Sequence, residues 1–214
     1  MPPAVTLRRA TVDDASMIHA WRSEASARRY QPLRQISLEA VRELLALRAG
    51  IPLSPHARGQ VQWVIETAEG PAGWISITIA DEDREHGIGS IGYTVGEAYR
   101  GRGYATAAVA AVLPIAFDPE RLALERLEIL AAVDNLASRR VAERNGFRLE
   151  GILRGLLVIN GARVDHALYA LLRSDWLAAQ TATQEPQQII ARGVEIPGHA
   201  VSPAHSSDAP RRSL

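Results

Sequence analysis

The sequence of 214 residues contains no cysteine and no lysine. Without cysteine there are no disulfides, thiolate nucleophiles or thiolate-bound metals, and we assign no metal. Without lysine there is no Gly-Lys-Ser/Thr phosphate loop. Basic and acidic residues number 24 each, so no net charge would hold the chain on nucleic acid or an anionic membrane. We therefore expect neither nucleic acid nor membrane as a partner.

Long apolar runs are also absent. No segment approaches the roughly 20 apolar residues that cross a bilayer, and the N-terminal residues lack the apolar core of a signal peptide. These absences predict a cytoplasmic protein. Hydrophobic residues still make up 47% of the chain, enough for one substantial core. From about residue 180 the composition becomes polar and rich in Pro, Ser and Gln. We predict one domain at residues 1–178 and a flexible tail at 179–214.

Alternating and β-branched residues predict an antiparallel meander over residues 60–67, 73–80 and 88–95, with charged turn material at 81–85. A helix begins at about Tyr104, and Pro114 is expected to kink it or end it early. A strand at 126–133, a helix at 135–145 and a hairpin turning at Asn160-Gly161 follow. Before the meander, the patterns predict a strand at 5–9 and helices beginning near Thr11 and Ser37. The chain therefore mixes strands and helices.

The segment between the strand 88–95 and the helix at Tyr104 reads Glu-Ala-Tyr-Arg-Gly-Arg-Gly-Tyr-Ala-Thr. Gly101 and Gly103 allow close approach to the backbone, and free N–H groups at a helix start attract anions. A dinucleotide-binding fingerprint would require a third glycine or alanine where Thr106 stands. The segment therefore predicts a pyrophosphate site, although several nucleotide-binding families use glycine loops.

Residues Arg100-Gly-Arg-Gly-Tyr-Ala105 match the Arg/Gln-x-x-Gly-x-Gly/Ala acetyl-CoA motif of the Gcn5-related N-acetyltransferases (GNAT). Four further segments stand around this motif in the order found in that superfamily. They are Ile91-Gly-Tyr93 before it, and Asn135-x-x-Ser138, 148–151 and 165–169 after it. From about residue 5 to 176 the chain most resembles its RimJ/RimL-type branch, which acetylates ribosomal-protein N-termini. The resemblance implies an α/β (α+β) fold. In this fold a mixed, mostly antiparallel sheet is splayed into a V between strands 4 and 5, with helices on both faces.

The resemblance also implies where acetyl-CoA binds as co-substrate. Strands 88–95 and 126–133 would form the V, and the pantetheine would pair with the backbone of Tyr93, Thr94 and Val95. The pyrophosphate would lie on Arg100, Gly101, Arg102, Gly103, Tyr104 and Ala105. Asn135 would bind the pantetheine, unless it only caps its helix, and Ser138 would contact the cofactor near its sulfur.

Two residues are catalytic candidates. A backbone amide at or near Tyr93 would hold the oxyanion, and Ser138 could protonate the leaving thiolate, unless it is merely an exposed polar residue. The glutamates that serve relatives as base are replaced by Ser90 and Leu157, and a tyrosine donor by Val141. Glu97, Asp165 and His166 remain candidate proton relays.

Without a strong base, a weakly basic acceptor is easier to use. An α-amine has a pKa near 8 and a lysine side chain near 10.4. We therefore predict an N-acetyltransferase acting on a protein or peptide α-amine, or on a small weakly basic amine, by direct attack in a ternary complex. Two alternatives remain: a non-catalytic acyl-CoA-binding module and an antibiotic or polyamine acetyltransferase. The sequence allows a monomer or a homodimer.

Overall fold

The computed structural model describes residues 3–31 and 35–191. Seven strands form one sheet in the order β1-β2-β3-β4-β5-β7-β6. Their bounds are β1 Thr6–Arg9, β2 Gly59–Thr67, β3 Gly70–Ile79, β4 Ile88–Val95, β5 Arg126–Ala132, β6 Arg148–Ile159 and β7 Ala162–Leu172. The α-helices are α1 Ala15–Ser23, α2 Ala25–Arg28, α3 Leu38–Ala49, α4 Asp81–Arg84, α5 Tyr104–Phe117, α6 Leu136–Arg144 and α7 Arg173–Ala191.

The antiparallel meander predicted from the sequence is confirmed as β2, β3 and β4. The predicted hairpin between β6 and β7 is also present. Asn160 and Gly161 have φ values of 49° and 81°, the left-handed pair that a two-residue turn with right-handed strand twist requires. Ser37 caps α3 by accepting a hydrogen bond from the Ala40 N–H. Short-range spacing thus predicted these elements correctly.

The structure differs from two local expectations, the charged turn at residues 81–85 and the early end of the helix at Pro114. The charged turn at residues 81–85 forms the short helix α4, whose first turn carries three acidic residues that favour its N-terminal dipole. Helix α5 does not end early at Pro114 but continues to Phe117. Val112, Leu113, Ala116 and Phe117 are all buried, so packing of the last turn outweighs the hydrogen bond that proline removes.

The sheet splits between β4 and β5. These parallel strands pair only from Ile88 with Arg126 to Ser90 with Glu128, and diverge beyond that point. One apolar cluster packs α5 and α6 on one face of the sheet, around Trp63, Ile75 and Ile129. A second cluster packs α1 and α3 on the other face, around Trp21, Val64 and Trp74. The predicted fold class, a splayed mixed sheet with helices on both faces, is confirmed.

The chain divides into two compact units, Met1–Ala178 and Ala179–Leu214. In the first unit, Trp176 of α7 packs on Phe117 with ring centroids 5.5 Å apart. Of the predicted tail at 179–214, residues 179–191 lie in α7 and the remainder lies outside the described residues. Among the described helices, none has the length and apolar character needed to cross a membrane.

Candidate active site

A cavity of about 570 Å³ opens where β4 leaves β5. The end of β4, the loop into α5, the first turns of α5 and α6, and the segment around α2 form its walls. The lining residues include Tyr93, Thr94, Val95, Arg100, Gly101, Gly103, Tyr104, Ala105, Asn135 and Ser138. Ten of the eleven residues predicted from the sequence to bind the cofactor therefore line one cavity, and Arg102 is the exception.

The backbone of β4 presents alternate residues to the cavity. The Gly96 N–H donates to the carbonyl of Ala72 in β3. Main-chain N–H and C=O groups alternate in direction along a strand, so this bond shows which residues of β4 point their main-chain groups at β3. The main-chain groups of Gly92 and Thr94 therefore point at β3, while those of Tyr93 and Val95 point into the split. Thr94, predicted to contact cofactor through its backbone, instead offers a side-chain hydroxyl that is buried without a partner among the described residues.

Side chains already hold the carbonyls of Tyr93 and Val95. Gln31 Nε2 donates to the Tyr93 carbonyl oxygen at 3.0 Å. Arg100 Nε donates to the Val95 carbonyl oxygen at 2.8 Å. The main-chain groups of these two residues that remain for a ligand are thus N–H donors rather than carbonyl acceptors.

The loop before α5 has the conformation of an anion site. Gly101 and Gly103 have φ values of 75° and 84°, in the region where glycine is favoured. The N–H groups of residues 101–106 have no main-chain acceptor within the described part of the chain. A β-carbon added to Gly101 would meet nothing within 4 Å, so the space above this glycine is open. Free donors, a helix dipole and open space coincide here.

The two loop arginines are both paired with carboxylates. Arg100 binds Glu24 at 3.1 Å and faces the cavity. Arg102 binds Glu69 at 2.8 Å and lies against the Tyr99 ring, outside the lining. The predicted phosphate role of Arg102 would therefore require a change of partner.

The sequence analysis missed two arginines on α6. Arg140 and Arg144 line the cavity one helical turn apart, and Arg29 lines its other wall. With Arg100 they make four arginines, while no aspartate or glutamate is among the lining residues that the structure describes. The sequence could have indicated Arg140 and Arg144, because they are four residues apart on the helix that carries Ser138.

Tyr93 and Ser138 form a pair across the split. The phenol oxygen of Tyr93 lies 2.8 Å from Ser138 Oγ, and either atom can donate. Burial raises the pKa of the Tyr93 phenol to about 12, partly opposed by this hydrogen bond. The phenol therefore keeps its proton at neutral pH. Asn135 caps α6 by accepting from the Ser138 N–H at 3.2 Å, which also fixes the start of the helix.

The other candidate relays lie outside the lining. Glu97 accepts a hydrogen bond from Ser26. Asp165 accepts from the Gly155 N–H at 2.7 Å, and the buried His166 contacts the Val164 carbonyl. In the described part of the chain, no group of three or more histidines and acids could hold a metal ion.

The sheet that splits between β4 and β5, with a cavity in the split, is the architecture that the sequence resemblance to the N-acetyltransferases implied. A sequence model described as acetyltransferase (GNAT) domain matches residues 4–148, and the chain belongs to that family. The resemblance found in the motifs is therefore confirmed.

Among individual relatives, the chain is 39% identical over 100 residues to "Putative ribosomal N-acetyltransferase YdaF" of Bacillus subtilis, covering 47% of this chain and 54% of that protein. It is 40% identical over 80 residues to the ribosomal-protein-serine acetyltransferase of Escherichia coli, covering 37% and 44%. The chain thus spans about half the length of these curated relatives.

Solved structures share the fold. RimL, a ribosomal L7/L12 α-N-protein acetyltransferase in complex with coenzyme A, matches with a TM-score of 0.67 and 24% identity, covering 80% of this chain and 95% of RimL. Spermidine N-acetyltransferase from Vibrio cholerae, in complex with CoA and spermine, matches with a TM-score of 0.70 and 23% identity, covering 81% and 98%.

Proposed function

We propose that the protein transfers an acetyl group from acetyl-CoA to a primary amine. The observation that carries this proposal is the cavity in the split sheet, which is lined by four arginines and no carboxylate and borders the free N–H groups before α5. Coenzyme A is a polyanion, and such a lining favours its phosphates.

Each part of the cavity suits one part of acetyl-CoA. The loop Gly101–Ala105 offers its N–H groups to the pyrophosphate, and Arg140 and Arg144 offer guanidinium groups to further phosphate oxygens. The open space at Gly101 leaves room for this approach. The exposed N–H groups of Tyr93 and Val95 would bind the pantetheine arm, or the thioester oxygen at its end.

The residues near the split can perform acetyl transfer without a dedicated base. The neutral amine attacks the thioester carbonyl carbon, and an N–H of β4 stabilises the negative charge that develops on oxygen. As the carbon–sulfur bond breaks, the Ser138 hydroxyl gives its proton to the thiolate and recovers one from the Tyr93 phenol, and solvent water returns a proton to the phenol. The amine must arrive neutral, and the one proton that its nitrogen releases to water balances the proton that the thiolate gains.

The proposed acceptor is a protein or peptide α-amine, or a weakly basic small amine. No carboxylate lines the cavity to deprotonate a lysine, which favours an amine of lower pKa. The name of one relative, ribosomal-protein-serine acetyltransferase, refers to a protein as acceptor and agrees with this choice.

Release of free thiol from acetyl-CoA, measured with a panel of amines, tests the proposal. The panel pairs peptides with free α-amines against the same peptides blocked at the N-terminus and carrying one lysine. We expect turnover with free N-termini. Faster reaction at lysine would refute the acceptor class, and tight acetyl-CoA binding without turnover on any amine would support the non-catalytic module.

A further inference from the structure

Two arginines lie on the face of the sheet that α1 and α3 cover, away from the cavity lining. Arg22 lies on the last turn of α1, and Arg48 lies on the last turn of α3. Both are half-buried. Arg48 Nη1 donates to the side-chain oxygen of Gln62 at 2.6 Å, and Gln62 itself is buried in β2.

Neither arginine has an acidic partner among the described residues. Arg126, by contrast, is paired with the carboxylate of Glu128 at 2.8 Å. Arg22 forms no hydrogen bond within the described part of the chain, and its Nε is buried without an acceptor. Most of the donors on these two guanidinium groups are therefore available.

The two cations also disfavour one another. Burial lowers the pKa of Arg22, and burial together with the charge of Arg22 lowers the pKa of Arg48. Holding two like charges in partly buried positions without a counter-ion is costly. An oxyanion bound between them would remove that cost, because guanidinium groups bind carboxylate oxygens in a fork.

A row of paired residues across β2, β3 and β4 connects the position of this arginine pair with the strand that borders the split. Cross-strand partners share one face of a sheet, and Gln62 pairs with Ser76, which pairs with Gly92 of β4. Two strand spacings separate Gln62 from Gly92, which is roughly 10 Å. Within the row, Gly92 has no side chain, and the hydroxyl of the buried Ser76 donates to the Gly92 carbonyl oxygen at 3.4 Å.

We propose that Arg22 and Arg48 bind a carboxylate of the acceptor, about 10 Å from the amine that is acetylated. The proposal rests on the proposed acetyl transfer, which places the reacting amine at β4. An extended peptide advances about 3.3 Å per residue, so the carboxylate would belong to an acidic residue two to four positions into the peptide. The same pair repels polyamines, which carry only positive charge.

The test compares acetylation of peptides that differ only by Glu or Gln at position two, three or four and whose other side chains are uncharged. We expect at least one Glu peptide to react with a kcat/KM about tenfold higher than its Gln partner, mainly through a lower KM. Arg22→Gln and Arg48→Gln should each reduce this preference by about threefold or more. Both variants should leave the kcat/KM of the Gln peptide within about twofold.

Arg58→Gln is the matched control, because it removes the same charge from an exposed arginine whose nearest acidic partner, Asp81, lies 3.9 Å away. It should keep the full preference for Glu. Arg22→Lys retains the charge and should keep part of the preference, which separates recognition from damage to the fold.

Equal kcat/KM for every Glu and Gln pair would overturn the arginine site while leaving acetyl transfer intact. So would a preference that survives both arginine substitutions, or a polyamine that reacts faster than every acidic peptide. If no amine is acetylated, calorimetric binding of the Glu and Gln peptides in the presence of CoA decides the question separately. Preferential binding of Glu that depends on Arg22 would then support the site, and equal binding would refute it.

Discussion

At the residue scale, Tyr93 contributes two different groups to the cavity, a backbone N–H and a phenol. The sequence analysis chose it for its backbone amide in the split, whereas the structure adds a phenol that reaches Ser138 on α6. The glutamates and the tyrosine donor of relatives are replaced here by Ser90, Leu157 and Val141. The Tyr93–Ser138 pair is therefore our proposed proton donor, and no single motif in the sequence encodes it.

We expect Tyr93→Phe to lower kcat by about tenfold to a hundredfold, because proton donation to the leaving thiolate is weakened. Affinity for acetyl-CoA should change by less than about threefold, since the backbone N–H remains. Ser138→Ala should have a similar effect, and the double variant should be little worse than either single one. Steady-state kinetics and calorimetry measure both quantities. Fully additive losses would contradict a shared proton path.

The raised pKa of Tyr93 also predicts how stability depends on pH. The folded state holds the phenolic proton up to a pKa of about 12, whereas an unfolded tyrosine releases it near pH 10. This contribution is complete below pH 10 and is lost as the pH rises through 12. The wild type should therefore lose about 1.4 kcal/mol relative to Tyr93→Phe between pH 8 and pH 11.

Urea denaturation of both proteins at pH 8, 9.5 and 11 measures this difference. Tyr99→Phe controls for general effects of alkali on the fold. A constant difference between wild type and Tyr93→Phe across the three pH values would show that the phenol is not held in its neutral form by burial.

At the scale of the element, the loop between β4 and α5 can be tested with a matched pair of glycines. Gly101 and Gly161 have φ values of 75° and 81°, and a β-carbon at either would meet nothing within 4 Å. Alanine at either position therefore introduces similar backbone strain, about 1 kcal/mol. Only Gly101 borders the cavity.

We expect Gly101→Ala to weaken acetyl-CoA binding by about tenfold or more, because its methyl group would occupy the space proposed for the pyrophosphate. Gly161→Ala should lose a similar amount of stability without any change in affinity. Calorimetric titration and thermal unfolding measure the two effects. Undiminished affinity in Gly101→Ala would place the pyrophosphate elsewhere.

Short-range spacing explains what the sequence could predict. The loop glycines, the Asn160-Gly161 turn and the alternation of β2 to β4 each depend on neighbours within a few residues. The pairing of arginines does not. Arg100 meets Glu24 across 76 positions and Arg102 meets Glu69 across 33, so their carboxylate partners could not be read from the motif. The fold was therefore predictable to a greater degree than the charges around the site.

The same limit applies to the whole molecule. The Gln31 contact with the Tyr93 carbonyl spans 62 positions, and the Tyr93–Ser138 contact spans 45. The positions of Arg22 and Arg48 depend on how two helices pack on a sheet. Neither arginine belongs to a motif that predicts a site, so an acceptor-binding role could be inferred only from the assembled fold.

At this largest scale, we expect residues 1–178 to contain everything that acetyl-CoA binding requires. Met1–Ala178 forms a compact unit that includes the whole cavity lining. A chain ending at Ala178 keeps Trp176 against Phe117, and also the bond from Arg173 Nε to the Phe117 carbonyl at 3.0 Å. Its affinity for acetyl-CoA should lie within about threefold of that of the full chain.

A chain ending at Leu172 is the contrasting case. It loses Trp176 and Arg173, which exposes Phe117 at the end of α5, and it should be less stable by about 3 kcal/mol or more. Urea denaturation and calorimetric titration of the two truncated chains measure both effects. If the chain ending at Ala178 failed to bind acetyl-CoA although it remained folded, residues beyond 178 would have to take part in the site. Equal stability of the two truncated chains would instead show that packing against Phe117 does not hold α5 in place.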